Sequence, residues 1–326
     1  MSFAHTSVLA REVLEHLVPR DNCVYVDGTL GGAGHSLAIL QAARCTLIGI
    51  DRDPVALAAA RERLAAVGDR ATLVHGQFGD IAGILAELGI DKVDGLVLDL
   101  GVSSPQLDHA DRGFSFMKSG PLDMRMDPTR GETALDLIES TDVEALGELI
   151  IELGEERYGK RIARLIKDAA KADKLKTTID LANICAQAIP SAEQRRSKIH
   201  PATRTFQALR IAVNAELAEL EKFLAVFPDL LRPGGRCAII SFHSLEDRLV
   251  KNCFRDLAWT SSLPAVYAEK AGERIEAVVD LLTKKAVVAT DEEIEINPRS
   301  RSARLRVCER TAAPNMPARW NAGRIA

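Results

Sequence analysis

The chain has 326 residues, 47% of them apolar, with 42 basic against 46 acidic side chains and a net charge of −4. It is long enough for one large domain or two modest ones, and a chain coated in positive charge is excluded, so any contact with nucleic acid requires a local patch. No apolar run is long enough to cross a bilayer, and no secretory signal opens the chain, because MSFAHTSVLAREVLEHL already has the pattern of an amphipathic helix; a cytoplasmic protein without membrane contact is expected. The six scattered cysteines include no C-x-x-C and read as reduced core residues. The seven histidines include no H-x-x-x-H, so no metal is expected.

From residue 24 to 99 the pattern alternates. Short apolar strands are predicted at 24–27, 46–50, 72–75 and 94–98, separated by helices at 35–43, 54–66 and 81–88. Such alternation means an α/β fold, a doubly wound, mostly parallel sheet with right-handed crossovers. Residues 100–132 are rich in Gly, Pro, Asp and Ser and read as a long functional loop. A long helical stretch follows, with a capping box Thr141-x-x-Glu144, a basic helix around 156–171, another near 178–189, and one from Thr203 to Phe227. On the basic helix Lys160, Arg164, Lys167 and Lys171 share one face, expected to hold phosphates, although such a run is ordinarily only a solvated surface.

LLRPGGRCAIISF reads as a turn and a buried strand, so the sheet resumes, and Ser244 with Asp247 is expected to cap the next helix. Late strands near 278–284 and 303–309 suit an antiparallel edge. The expected organisation is a discontinuous domain, 1–105 with 210–311, an inserted all-helical substrate-recognition domain at 106–209, and a disordered tail at 312–326.

The stretch VYVDGTLGGAGHS ends a strand at Asp27 and places Gly28, Gly31, Gly32 and Gly34 in the turn that follows. Bare backbone there allows a tight turn and close approach to a ligand. The next strand ends in Asp51, placed to accept ribose hydroxyls. Dinucleotide and S-adenosylmethionine enzymes share that arrangement. Asp27 at the mouth of the turn disfavours a pyrophosphate and suits a cationic sulfonium, and the glycine spacing departs from G-x-G-x-x-G. Phe78 follows the third strand, where an aromatic ring packs either on an adenine or simply into the core.

The fourth strand ends at Asp99, and GVSSPQ follows at the rim. Amino-directed methyltransferases place a short polar-Pro motif here, whose acceptors bond the substrate amine. An exocyclic amine conjugated with its ring is a poor nucleophile, so acceptors for its hydrogens and fixed in-line geometry supply the activation. The plainer alternative is a Pro-containing turn with Asp99 as a helix cap, which leaves the acids at the other strand ends unexplained.

The segments HTSVL, DGTLGGAGHS, IDRDP, LDLGVSSPQLD, RGFSFMKSGPLDMRMDPTRG, GEERYGKRIAR, HPATRTFQALRIAVN, PGGRCAIISFHSLEDR and NPRSRSARLRV, in this order, resemble the signature segments of the ribosomal RNA small subunit methyltransferase H family over about residues 5–311. The resemblance implies a Rossmann-like class I methyltransferase core with a helical insert. It implies methyl transfer from S-adenosylmethionine to the exocyclic N4 amine of a decoding-centre (P-site) cytidine in 16S rRNA of the small ribosomal subunit or its late precursor. By motif it places the cofactor on Ala33, Gly34, His35, Asp51, Phe78, Asp99 and Gln106, and the amine-orienting loop on Asp99, Ser103, Ser104 and Pro105. Ala33 stands where the family commonly has glycine, a change that a backbone contact survives. Residues 258–290 match poorly and receive no role, and a homodimer is left open.

His243 either orients the target base or is a satisfied polar residue beside a helix cap, the latter favoured. DMRMDPTRG either walls a pocket for a splayed-out base or is a packed cover. The segment RRSKIHPATRTFQALR holds Arg195, Arg196, Lys198, His200, Arg204 and Arg210, the densest basic run in the chain, and phosphate contact is expected there. An NAD-dependent oxidoreductase is disfavoured by Asp27. An RNA-binding assembly factor without catalysis is disfavoured by the intact strand-end acids, and a DNA methylase by the absence of a DPPY-type tetrapeptide.

Overall fold

The protein is described by a computed structural model covering residues 7–259 and 276–314. Seven strands, β1 (Val24–Asp27), β2 (Thr46–Asp51), β3 (Ala71–His75), β4 (Val93–Asp99), β5 (Leu231–Ser241), β6 (Val279–Leu281) and β7 (Arg304–Arg310), form one sheet in the spatial order β3-β2-β1-β4-β5-β7-β6. The first five pair in parallel, and β7 runs antiparallel to both β5 and β6. Strand order reverses between β1 and β4, the place where open α/β sheets bind ligands at their carboxyl ends.

Period-two alternation sorts the strand residues onto two cores. Ile48, Ile50, Leu96, Leu98 and Ile239 face a cluster built on Phe223, Phe227 and Phe254. Leu47, Tyr25, Val97, Ala238 and Ile240 face the opposite cluster with Leu9, Ile39 and Leu305. Helices α1 (Ala10–Leu17), α2 (Gly34–Ala42), α3 (Pro54–Leu64) and α4 (Ile81–Glu87) connect or cover this sheet.

By its contacts the chain divides into two compact units, Met1–Gly101 with Leu217–Ala326, and Val102–Glu216. The second unit contains α5 (Ser104–Asp108), α6 (Ala134–Ser140), α7 (Val143–Gly154), α8 (Gly159–Lys171), α9 (Thr178–Ala188), α10 (Ser191–Arg196) and α11 (Thr203–Asn214), packed around Ile138, Ile150, Ile162, Ile166, Leu181 and Leu209. Helices α12 (Glu216–Leu230), α13 (Ser244–Leu257) and α14 (Asp291–Ile296) follow.

Several local expectations are corrected. The helix predicted from Thr203 to Phe227 is two helices, broken at Ala215, whose φ of 49° is left-handed. The cap of α7 is Asp142, which accepts the Ala145 N–H at 2.8 Å, rather than Thr141. The cap of α13 is His243 rather than Ser244: Nδ1 of His243 accepts from the Glu246 N–H at 3.4 Å, while Glu246 Oε2 accepts from the Phe242 N–H at 2.8 Å. The loop at 100–132 contains α5 and a short 3-10 turn, Ala110–Arg112. Of the predicted disordered tail, residues 315–326 lie outside the described residues.

All six cysteines are free, five of them buried, and burial pushes the Cys185 thiol up to about 12, which leaves it unreactive. No described helix is long and apolar enough to cross a membrane.

Candidate functional site

The turn between β1 and α2 is tied down by carboxylates. Asp27 is 1% exposed. Its Oδ2 accepts from Ser36 Oγ at 2.7 Å and its Oδ1 from the Thr29 N–H at 3.2 Å. Burial raises its pKa, opposed by the charge of His35 and by these hydrogen bonds. Asp27 therefore does not offer an open charge at the mouth of the turn, as the sequence suggested; it clamps the turn from within. Asp51 closes the other side, with Oδ2 accepting the Gly31 N–H at 2.7 Å and Oδ1 the Asp53 N–H at 2.8 Å. Burial pushes its carboxyl up to about 6, against the pull of those two backbone donors.

Two backbone positions need their residue type. A Cβ on Gly34 would lie 1.8 Å from Ser7 Oγ, so the residue opening α2 must be glycine while Ser7 covers it. Gly31 has a φ of 48°. Ala33, at 58°, is left-handed as well but carries a side chain, buried in the core. Among the described residues the face of the turn is open: a Cβ on Gly31 or Gly32 would meet none of their atoms nearer than 3.8 Å.

Beside the turn lies a histidine–carboxylate pair. His35 is 5% exposed, and its Nε2 is 3.5 Å from Asp99 Oδ2, close enough for an ion pair but without a well-aligned hydrogen bond. Burial disfavours the imidazolium, yet Asp99, Asp27 and Glu293 together raise its pKa above the ordinary value. The backbone N–H of Asp99 donates to Thr29 Oγ1 at 2.6 Å, which fixes the end of β4 against the turn. Asp99 Oδ1 is buried and has no hydrogen-bond partner among the described residues. An acceptor left bare at a strand end is costly unless a ligand completes it.

Phe78 stands after β3, half-buried, with its ring edge-on to Phe223 at 6.2 Å, so one side of the ring belongs to the core. A Cβ on Gly28 would lie 3.0 Å from Phe78 Cβ, which places this aromatic against the glycine turn. The Phe78 turn is braced by Glu219, a buried residue that sequence reasoning missed. The Gln77 amide, oriented with its nitrogen inward, donates to Glu219 Oε2 at 2.9 Å and Oε1 at 3.1 Å. Ser7 was missed too, although it sits within HTSVL. Glu293 was the third: its Oε1 accepts the Leu9 N–H at 2.8 Å. No local pattern marks Glu219 or Glu293, because each meets a segment remote in the chain.

The structure brings Asp27, Ala33, Gly34, His35, Asp51, Phe78 and Asp99 together at the strand ends of the first unit. Ser103, Ser104, Pro105 and Gln106 belong to the second unit, where they open α5. Gln106 is buried, and its Oε1 accepts the Ser103 N–H at 2.9 Å, the reciprocal half of a capping box.

Elsewhere in the second unit DMRMDPTRG has the character of a packed cover. Met124 and Met126 are buried in the helical core, and Asn214 bonds both backbones, to Met126 N–H at 2.7 Å and Met124 C=O at 2.8 Å. On α8, Lys167 is not available as a surface charge, since its Nζ donates to the carbonyls of Ile138, Glu139 and Thr141 at 2.8, 3.0 and 2.7 Å and closes the carboxyl end of α6. Lys160, Arg164 and Lys171 remain exposed.

A mostly parallel seven-stranded sheet with an antiparallel β7 beside β5, a glycine turn after β1 and acids at the ends of β2 and β4 define a Rossmann-like class I methyltransferase. Within that class, the chain belongs to the MraW methylase family, whose sequence profile matches residues 2–311. Among curated relatives, a protein named ribosomal RNA small subunit methyltransferase H from Sorangium cellulosum is 52% identical over 94% of this chain and 90% of its own length. One of the same name from Geobacter sulfurreducens is 50% identical over 95% of this chain and 100% of its own. Among solved structures, an rRNA methylase from Streptococcus thermophilus aligns over 93% of both chains with a TM-score of 0.39 and 12% identity, too remote to bear on the site.

Proposed function

We propose that this protein transfers a methyl group from S-adenosylmethionine to the N4 amine of a decoding-centre, P-site cytidine in 16S rRNA, acting in the cytoplasm on the small ribosomal subunit or its late precursor. The family and the names of its relatives support the substrate class. Asp99 carries the choice of an amine: a buried carboxylate oxygen without a partner among the described residues, at the end of the central strand β4, is an acceptor suited to a donor.

The residues fit the cofactor. Asp51 keeps lone pairs for ribose hydroxyls, the open face at Gly31 and Gly32 admits a ligand against backbone, and Phe78 offers a ring beside the turn. Ala33, Gly34 and His35 would contact it through backbone, with Gln106 a further ligand carried over by motif. When bound, S-adenosylmethionine supplies an electrophilic methyl on a sulfonium centre. Asp99 accepts a hydrogen bond from the amine, which localises the nitrogen lone pair, and it stabilises the positive charge as the nitrogen gains its fourth bond; the acidic proton of that cationic nitrogen is then lost to solvent. His35 stands 3.5 Å from the other carboxylate oxygen. Ser103, Ser104 and Pro105 are assigned to orienting the amine, residues 1–105 with 210–311 to the methyltransferase domain, and 106–209 to substrate recognition.

The test is to incubate the protein with methyl-labelled S-adenosylmethionine and small subunits from cells lacking the enzyme, then digest the RNA to nucleosides. Label in N4-methylcytidine is expected. Label at carbon 5, in another base, or none despite cofactor binding overturns the reading, the last in favour of a non-catalytic assembly factor.

A further inference from the structure

The helical unit holds a cleft that the methyl-transfer chemistry leaves unused. It encloses about 360 Å³, within the range of small-molecule sites, and is walled by Glu156, Arg157, Tyr158, Arg196, His200 and Arg204. The charges are layered. Arg157 pairs with Glu193, as does Arg196 at 3.8 Å, and Arg204 lies 4.0 Å from Glu156. Each carboxylate is deeper than its arginine: Glu193 is 33% exposed against 61% and 79% for its partners, and Glu156 6% against 47%. In each pair the acid is thus the more enclosed partner and the guanidinium group the more exposed one. Arg195 and Lys198, neighbours in sequence of residues that line the cleft, are exposed as well, in a chain whose overall charge is −4.

One wall of the cleft carries an aromatic ring, His200, backed by two phenylalanines. His200 stacks on Phe116 with centroids 4.5 Å apart and planes 26° apart, and Phe116 meets the buried Phe206 edge-on at 5.0 Å. His200 Nδ1 accepts the Ala202 N–H at 3.1 Å, which fixes the ring and leaves Nε2 as the donor. The Arg157 guanidinium lies over the Tyr158 ring at 4.9 Å. Proteins that hold single-stranded nucleic acid combine these two features, a basic groove for phosphates and a fixed ring for a base.

We propose that this cleft is a second nucleotide site, which takes an unpaired ribonucleotide of the RNA substrate other than the methylated cytidine. Arg157, Arg196 and Arg204 hold its phosphates, and its base stacks on the face of His200 turned away from Phe116. Stacking tolerates any base, so the site anchors the strand without reading it. This rests on the RNA substrate proposed above.

The test uses the full chain, small-subunit RNA and binding measured across a salt series. Arg157→Gln with Arg196→Gln should weaken binding and flatten the log–log salt slope by about 1.4, two contacts at roughly 0.7 each. His200→Ala should weaken binding roughly tenfold at unchanged slope, and His200→Phe should restore it. In all three, S-adenosylhomocysteine affinity and kcat should equal wild type; KM should rise for the arginine pair and for His200→Ala, and return to the wild-type value in His200→Phe. If the variants match wild type in slope and affinity while wild type binds and methylates the RNA, the cleft is not a nucleotide site and the proposed function stands. If wild type itself neither binds nor methylates the RNA, the proposed function falls and the cleft assignment with it.

Discussion

At the ends of β1 and β2 the acidic side chains are enclosed, and each grips backbone of the glycine turn; on α8 and α10 most of the basic side chains stand in solvent and grip little. Asp27 and Asp51 each accept two protein donors, whereas Lys160, Arg164, Arg195 and Lys198 are exposed. A buried charge acts at low effective dielectric, so removing it leaves unpaired donors behind. An exposed charge is screened by salt, and its individual worth is small. The first region is therefore built to be exact in geometry, the second to be additive in charge. Lys167 crosses this division: it stands among the surface cations of α8 yet behaves as the strand-end acids do.

The largest effect that sharpens the contrast is expected at Asp27. Its replacement by alanine strands the Ser36 hydroxyl and the Thr29 N–H, and should cost about 3 kcal/mol of stability. Arg164→Gln, by contrast, should leave the denaturant midpoint within about 0.5 kcal/mol of wild type. Equal midpoints for the two variants would erase the distinction.

Asp51→Asn should weaken S-adenosylhomocysteine binding by about 1.5–3 kcal/mol in calorimetry with the fold retained. Because burial lifts the Asp51 carboxyl to about 6, its stability contribution is full below the ordinary carboxylate range and is lost as pH rises through that value. Cofactor affinity runs the other way, since the ionised carboxylate is the better acceptor for ribose hydroxyls. Wild-type affinity should rise from about pH 5 to about pH 7, and Asp51→Asn should remove that rise except for any part due to His35. A flat profile in wild type would detach Asp51 from the ligand.

Lys167→Gln should cost about 1–2 kcal/mol in unfolding, because three carbonyls at the end of α6 lose a charged donor. The salt slope of RNA binding should not change. A flattened slope at unchanged stability would return Lys167 to the phosphate-binding face. Ala33→Gly should be nearly silent: relief of a left-handed alanine, worth about 1 kcal/mol, offsets the loss of a buried methyl worth about 0.8 kcal/mol. A melting shift of several degrees would show that one of the two dominates.

The parallel core was legible in the sequence because strand and helix periods differ and each strand ends in a marked residue, so β1 to β4 fall within a residue or so of their predicted limits. The joining of Asp51 to Gly31 was not legible: the sequence placed Asp51 at a strand end and assigned it to ribose hydroxyls, and only the structure shows it bonding the turn. The break at Ala215 was not legible, since neither glycine nor proline marks it; the residues on either side are held by side-chain bonds, Asn214 to Met124 and Met126 and Glu216 to Arg210. The caps at Asp142 and His243 were misplaced by one residue, because adjacent polar residues compete for the same N-terminal donors and only geometry chooses between them. Spacing put Lys167 on a helical face, but it carries no information about which neighbouring helix ends within reach.

The hydrogen bond from the Leu9 N–H to the Glu293 carboxylate, with Ser7 seated over Gly34, has a consequence for biosynthesis. The segment that covers the glycine turn is made well before its clasp, which lies 284 residues further along the chain. A nascent chain can pair β1 to β4 early, yet α1 gains its anchor on α14 only after residue 293 has left the peptidyl-transferase centre. Translation that stops before α14 leaves Leu9 without that bond, so a prematurely ended chain carries the turn without the fastening over it.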